Sequence, residues 1–136
     1  MCLHIVQVLP HLLPYLSQAC ILGILPAIAI VDCVKGLSKL SYPPFHGQER
    51  KVWVQFAEVV ARDARSLRPY HVVAAVHGFT ALEGYRKHSP SNSALWDELS
   101  HAVATTSATL KPKQVAMCVN SFGKVGIPNP SVWQAL

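Results

Sequence analysis

The sequence predicts an all-α fold, an α-solenoid of helix-turn-helix repeats that are each about 37–43 residues long. Three observations support this. The chain aligns with itself without gaps, apolar residues recur at helical spacing in both aligned segments, and connectors rich in proline, glycine and polar residues separate those segments. No segment shows the alternation of apolar and polar residues that is typical of a strand.

The internal repeat aligns residues 53–82 with residues 96–125. Eight of the thirty aligned pairs are identical, and most of the others keep their chemical class. Because a fixed period in this range is typical of stacked supersecondary units, we interpret the alignment as a duplication. The identical pairs are Trp53/Trp96, Val60/Val103, Ala61/Ala104, Leu67/Leu110, Pro69/Pro112, Val72/Val115, Val76/Val119 and Phe79/Phe122.

Partial copies flank the aligned pair. Residues 28–40 overlay the segment that ends at Leu82, and residues 128–136 supply a third tryptophan, Trp133. Terminal repeats normally carry polar caps, and neither end shows one, so we expect the chain to be a piece of a longer array. The predicted divisions are an apolar N-terminal helix at 1–23, a first repeat at 24–66, a second at 67–109 and a truncated third at 110–136.

The first helix of each repeat, called helix A, follows a proline. Pro69 and Pro112 suit a first helical turn, where the missing N–H costs no hydrogen bond. An apolar stripe at three- and four-residue spacing then predicts the buried face of each helix. Its members are Val72, Val73, Val76, Phe79 and Leu82 in one copy and Val115, Ala116, Val119, Phe122 and Val125 in the other.

The second helix, called helix B, carries the tryptophans. Trp53 precedes Phe56 and Val60 at helical spacing, and Trp96 precedes Leu99 and Val103 in the same way. Two loops, at 41–50 and 83–93, are predicted from their proline, glycine and polar content. A helix pair of this size cannot bury its own apolar faces, so neighbouring repeats must stack. We expect all three tryptophans, Trp53, Trp96 and Trp133, in the core.

The N-terminal segment has three competing interpretations. The first 31 residues contain no Lys, Arg, Asp or Glu, and residues 12–31 are apolar enough on average to suggest a membrane span. Pro14, Gln18 and Pro26 interrupt that run and favour buried solenoid helices instead. A cleaved secretory signal is a third possibility, but the basic segment that should precede its apolar stretch is missing.

Motifs for metal binding and catalysis are missing. Cys2, Cys20, Cys33 and Cys118 show no C-x-x-C spacing, and no H-E-x-x-H or i, i+4 histidine pair occurs. The chain also lacks a glycine-rich phosphate loop and a G-x-S-x-G motif. We therefore predict a protein that is not an enzyme and uses no metal or other cofactor.

Charge points to an anionic partner. The formal net charge is +5, and all Lys and Arg residues lie after residue 31. RNA is the expected anion for a helical array, because polar side chains at equivalent repeat positions are how one-base-per-repeat readers are built. The same row of residues equally suits docking of another protein, or solvent exposure alone. The equivalent polar positions on helix A are Lys35/His77/Asn120, Lys39/Ala81/Lys124, Tyr70/Lys113 and His71/Gln114.

The repeat resembles a family of organellar RNA-binding proteins. The segment "LRPYHVVAAVHGF" and the proline-rich lead to the third tryptophan, "PNPSVWQAL", are similar to the octotricopeptide repeats of algal chloroplasts. They are also similar to the heptatricopeptide and RAP-associated repeats of apicomplexan parasites, and to helical repeats in a trypanosomatid RNA-editing substrate-binding subunit. Ser131 and Val132 stand where the family's PPPEW-type motif has proline and glutamate.

The resemblance implies an all-helical RNA-binding protein of the mitochondrion, or alternatively of the plastid. Such a protein would bind an organellar transcript or ribosomal RNA, in RNA processing or as a mitoribosome component beside other proteins. The alternatives are a protein–protein scaffold and a small protein anchored in a membrane through residues 12–31. The residues expected to face RNA are Lys35, Lys39, Tyr70, His71, His77, Lys113, Gln114, Asn120 and Lys124, with Arg86 and Lys87 as loop contacts to phosphate.

Overall fold

A computed structural model of the protein describes residues 2–39, 47–83, 93–127 and 129–136. Within these ranges the secondary structure consists of seven α-helices and two short 3-10 turns, and none of the described residues forms a strand. The predicted all-α class is therefore confirmed. The helices are α1 (Cys2–Ile21), α2 (Ala27–Lys39), α3 (Gly47–Asp63), α4 (Pro69–Glu83), α5 (Ser93–Thr106), α6 (Pro112–Val125) and α7 (Pro130–Ala135).

The helices form two layers. In the helix-A layer α4 packs between α2 and α6, and in the helix-B layer α1, α3, α5 and α7 pack in that order. Contacts of α2 with α3 and of α4 with α5 join the layers. This pattern of neighbour contacts is that of a helical repeat. The core between the layers includes the fully buried side chains of Ile30, Val34, Phe56, Val60, Phe79, Leu99, Val103 and Phe122.

The two turns from helix B to helix A have the same backbone, although their sequences differ. Each helix B continues into a 3-10 turn, at Ala64–Ser66 and at Ser107–Thr109. Leu67 and Leu110 then adopt extended conformations with φ/ψ of −73°/143° and −75°/138°. The prolines that follow begin α4 and α6, as the sequence predicts. The duplication is thus visible in the backbone at each of these turns.

The apolar N-terminal segment is divided between two helices. Helix α1 ends at Ile21, Gly23 adopts a left-handed conformation with φ of 68°, and α2 begins at Ala27. Residues 12–31 therefore do not form one continuous helix. None of the described helices combines the length and the apolar character needed to cross a membrane. Helix α1 packs against α3, in the same layer as the other B helices.

Helices α2 and α4 approach each other closely at Gly78. A Cβ atom added to Gly78 would lie 2.7 Å from Cγ1 of Val34, which is fully buried. By contrast, a Cβ added to Gly36, the equivalent residue of α2, would meet nothing within 4 Å. The absence of a side chain at Gly78 is therefore what lets the two A helices pack at this distance.

The predicted apolar stripe is wrong for part of α6. Phe122 is buried as expected, but Val119 is 41% exposed and Ala116 is also exposed. The equivalent Val76 of α4 is fully buried, because α4 has a neighbouring A helix on both sides. Within the described ranges α6 contacts an A helix on one side only. The side chains of α6 that are buried are Cys118, Ser121 and Phe122.

The prediction that all three tryptophans lie in the core is wrong for Trp133. Trp53 packs on Phe79, with ring centroids 4.8 Å apart, and Trp96 packs on Phe122 at 6.5 Å. Each of these tryptophans therefore packs on a phenylalanine of the next A helix. Trp133 is 41% exposed and donates a hydrogen bond from Nε1 to the carbonyl oxygen of Ile127 at 2.9 Å.

The thiol of Cys118 should be slow to react. Its side chain is fully buried in α6, and this burial raises its pKa to about 11, whereas Cys20 and Cys33 are only half-buried. Because the thiolate is the reactive form, a pKa near 11 leaves only about one thiol in 1000 ionised at pH 8. In native protein at pH 8 we expect a maleimide reagent to modify Cys20 and Cys33 well before Cys118, as followed by mass spectrometry of peptides.

The control is the same labelling in denaturant, where Cys20, Cys33 and Cys118 should react at similar rates. A native Cys118 that reacts as fast as Cys20 would show that α6 is not packed as described.

The raised pKa of Cys118 also makes the stability of the folded protein depend on pH. The buried neutral thiol contributes stability that is complete below its unfolded pKa of about 8.5 and is lost as the pH rises through about 11.

Candidate nucleic-acid interface

The outer face of the helix-A layer is formed by one stripe of residues on each A helix. On α4 these residues follow the spacing four, three, four, which keeps them on one face of a helix. All of them are exposed or half-buried on their own helix, and the equivalent residues of α2 and α6 are too. We call this set the outward stripe: Ile28, Asp32, Lys35 and Lys39 on α2; Tyr70, Ala74, His77 and Ala81 on α4; Lys113, Met117, Asn120 and Lys124 on α6.

Most of the residues predicted to face RNA lie on the outward stripe. Each helix contributes four residues to the stripe, which we number one to four in chain order. The residues at the third position, Lys35, His77 and Asn120, form one row across three neighbouring helices, and the residues at the first and fourth positions lie on either side of it. Lys35 is half-buried, and the other six side chains are exposed. The predicted residues that lie on the stripe are Lys35, Lys39, Tyr70, His77, Lys113, Asn120 and Lys124.

A contact between Lys35 and Tyr70 joins two of these helices. The Lys35 ammonium donates a hydrogen bond to the Tyr70 hydroxyl and lies 5.1 Å from the centroid of its ring. The hydrogen bond with the Tyr70 hydroxyl favours the charged ammonium and raises the pKa of Lys35 above its ordinary value. The contact shows that the third position of one A helix reaches the first position of the next. A cation and an aromatic ring are thus presented together at the surface.

Two predicted residues lie beside the stripe instead of on it. His71 is half-buried and stands edge-on to Tyr70, with ring centroids 5.4 Å apart and an interplanar angle of 81°. Gln114 is also half-buried, and its Oε1 accepts a hydrogen bond of 2.8 Å from the backbone N–H of Lys111. His71 therefore packs against the ring that faces outward, and Gln114 stabilises the first turn of α6.

The predicted loop contacts Arg86 and Lys87 lie outside the described residues. The structure instead shows two basic residues that sequence reasoning did not select, Arg68 and Lys111. Both are exposed, and each lies two residues before a first-position member of the outward stripe. Their equivalence in the two repeats was the signal that could have identified them. They extend the basic surface to the N-terminal ends of α4 and α6.

Among the described residues, the net positive charge is concentrated in the helix-A layer. Helices α2, α4 and α6, with the residue before each proline, contain Lys35, Lys39, Arg68, Lys111, Lys113 and Lys124 against the acids Asp32 and Glu83. Helices α3 and α5, with the turn Ala64–Ser66 that follows α3, contain Arg50, Lys51, Arg62 and Arg65 against Glu49, Glu58, Asp63, Asp97 and Glu98.

The basic residues of the helix-B layer are partly neutralised by ion pairs. Arg62 contacts Asp63 at 3.1 Å, and Arg65 in the turn after α3 contacts Glu98 of α5 at 3.0 Å. Side chains this exposed gain little stability from such pairs, but the pairing reduces the local positive potential. An anion approaching the molecule therefore meets more uncompensated charge on the helix-A layer than on the helix-B layer.

No protein-family model, curated protein or solved structure matches this chain. Among the residues whose positions are described, no cluster of three or more His, Cys, Asp or Glu side chains is arranged to hold a metal ion. The outward stripe combines cations, an aromatic ring, an imidazole and an amide on one face of the helix-A layer.

Proposed function

We propose that the protein is a non-enzymatic RNA-binding helical repeat whose outward stripe contacts single-stranded RNA. The observation that carries this proposal is the repetition of polar and basic residues at equivalent, solvent-facing positions of α2, α4 and α6. Lys39, Lys113 and Lys124 suit phosphate, because they are exposed cations. The resemblance of the repeats to organellar RNA-binding proteins supports a role in mitochondrial or plastid RNA metabolism, or in a mitoribosome.

The row formed by Lys35, His77 and Asn120 suits contacts to bases. An ammonium group only donates hydrogen bonds, and an amide both donates and accepts them. A neutral imidazole donates a hydrogen bond from one nitrogen and accepts one at the other. Three different hydrogen-bonding groups on successive repeats can therefore distinguish bases in successive positions. Tyr70, which holds Lys35 in place, adds a ring on which an unpaired base can stack.

Removing the three stripe lysines should weaken RNA binding and reduce its salt dependence. We expect the Lys39→Ala/Lys113→Ala/Lys124→Ala variant to have a slope of log K against log salt that is shallower by about 2, because each phosphate contact to a single strand contributes about 0.7. The measurement is fluorescence anisotropy of labelled single-stranded RNA of about 20 nucleotides across a salt series.

A matched control is available on the other layer. The Arg50→Ala/Lys51→Ala/Arg62→Ala variant removes the same charge from exposed positions of α3 and should leave the slope nearly unchanged. Circular dichroism should show the same helix content in all three proteins. Equal losses in both variants would indicate diffuse attraction to a basic protein, and no binding at low salt would exclude the proposal.

A further inference from the structure

Two contacts join the first repeat to the second. A valine of one A helix packs over a small residue of the next A helix, as Val34 does over Gly78. A tryptophan of one B helix packs on an aromatic residue of the next A helix, as Trp53 does on Phe79. The two receiving residues, Gly78 and Phe79, are adjacent in the sequence. An A helix therefore joins the stack through a dipeptide of one small and one aromatic residue.

The next repeat has the same arrangement. Ser121 and Phe122 of α6 occupy the places of Gly78 and Phe79, and both are buried. Phe122 receives Trp96, with an edge-on ring contact at 6.5 Å. Val76, which is equivalent to Val34, is fully buried, and α4 packs against α6. The contact of a B-helix tryptophan with an A-helix phenylalanine therefore recurs in this repeat, and the residue at the place of Gly78 is again small and buried.

The last repeat presents the same two groups at its surface. Val119 is equivalent to Val34 and Val76, and Trp133 is equivalent to Trp53 and Trp96. Each is 41% exposed, whereas the equivalent valines are fully buried and the equivalent tryptophans are at most 6% exposed. Trp133 is held in place by its hydrogen bond to the carbonyl of Ile127. A preformed valine and tryptophan pair therefore stands at the edge of α6 and α7.

We propose that this edge binds one further amphipathic helix, which presents a small residue to Val119 and an adjacent aromatic residue to Trp133. The occupant is specified by continuity with the internal interfaces, since Gly78 and Phe79 of α4 contact Val34 and Trp53, and Phe122 of α6 contacts Trp96. Val119 and Trp133 are not members of the outward stripe, although Asn120 of the stripe lies next to Val119 in the sequence. It belongs to the helix-in-groove type of recognition.

The probe that tests this site is a peptide of residues 66–83, which contains α4. A free peptide of this length is a poor helix in water, so His77→Glu and Ala81→Lys are introduced and joined by a lactam. Both positions belong to the outward stripe and leave the Gly78–Phe79 dipeptide free. Fluorescence anisotropy of the labelled peptide should show saturable binding to the full chain, and Val119→Asp should weaken it at least about tenfold.

Two controls make the result specific. Ile24→Asp places the same charge at another exposed apolar residue and should leave binding unchanged, and the same peptide with Phe79→Ala should bind at least about tenfold more weakly. Circular dichroism of each peptide and protein excludes unfolding as a cause. No binding by the helical peptide, or binding that Val119→Asp does not weaken, would overturn the proposal.

Discussion

Trp96→Ala should lower the free energy of unfolding by about 3–5 kcal/mol, the range for deleting a large buried aromatic side chain. Trp96 is 6% exposed and packs on Phe122 of the next A helix. The same substitution at the equivalent Trp133 should cost less than about 2 kcal/mol, because that ring is 41% exposed and removal of its partly hydrated side chain leaves no closed cavity.

Chemical denaturation followed by circular dichroism at 222 nm measures both losses. Equal helix content in the folded baselines of the two variants is the control. Equal losses for Trp96→Ala and Trp133→Ala would contradict the unequal burial of the two residues. It would imply that the last repeat is covered in solution as completely as the second.

Gly78→Ala should destabilise the protein by about 1–3 kcal/mol, as is usual when a methyl group is forced into a packed core. The new Cβ would lie 2.7 Å from Cγ1 of Val34, and Val34 is fully buried and cannot move away without disturbing other side chains. Alanine is otherwise the better helix former by about 0.5–1 kcal/mol, so the steric conflict must exceed that gain.

Gly36→Ala is the matched control, because it makes the same change at the equivalent position of α2 where the added Cβ meets nothing. It should stabilise the protein by about 0.5–1 kcal/mol. Val34→Ala combined with Gly78→Ala should cost less than the sum of the two single changes, since the clashing methyl group has been removed. Additive losses, or a stabilising Gly78→Ala, would show that α2 and α4 do not meet at this point.

The repeat architecture could be predicted from the sequence because its signals are local. Pro69 and Pro112 mark the starts of two helices, and the spacing of residues after Trp53 and Trp96 marks the buried face of two more. These signals depend on backbone sterics and helical periodicity, which neighbouring helices do not alter.

Burial at the edge of the stack could not be predicted in the same way. Val76 and Val119 lie in equivalent helical patterns, yet one is buried and the other is exposed. The difference arises from the number of neighbouring helices, which no local pattern contains. The close approach at Gly78 was missed for a related reason, since only the position of Val34 in another helix makes the missing side chain significant.

The candidate interface was predictable to the level of a helix face. Lys35, His77 and Asn120 were identified from their equivalent positions, and helical geometry places all three on the outward stripe. Gln114 shows the limit of this reasoning, because its oxygen accepts a hydrogen bond from the start of its own helix. Which neighbour a side chain bonds to depends on turn geometry that equivalence in the alignment does not show.

Lysine acetylation of the full chain with and without RNA, measured residue by residue by mass spectrometry, would locate the binding face. If RNA binds the outward stripe, Lys39, Lys113 and Lys124 will be protected, and Lys51 on α3 will react at the same rate in both samples. Protection of Lys51 equal to that of the stripe lysines, or no protection of the stripe at an RNA concentration that saturates binding, would contradict the assignment of the helix-A layer as the RNA-binding surface.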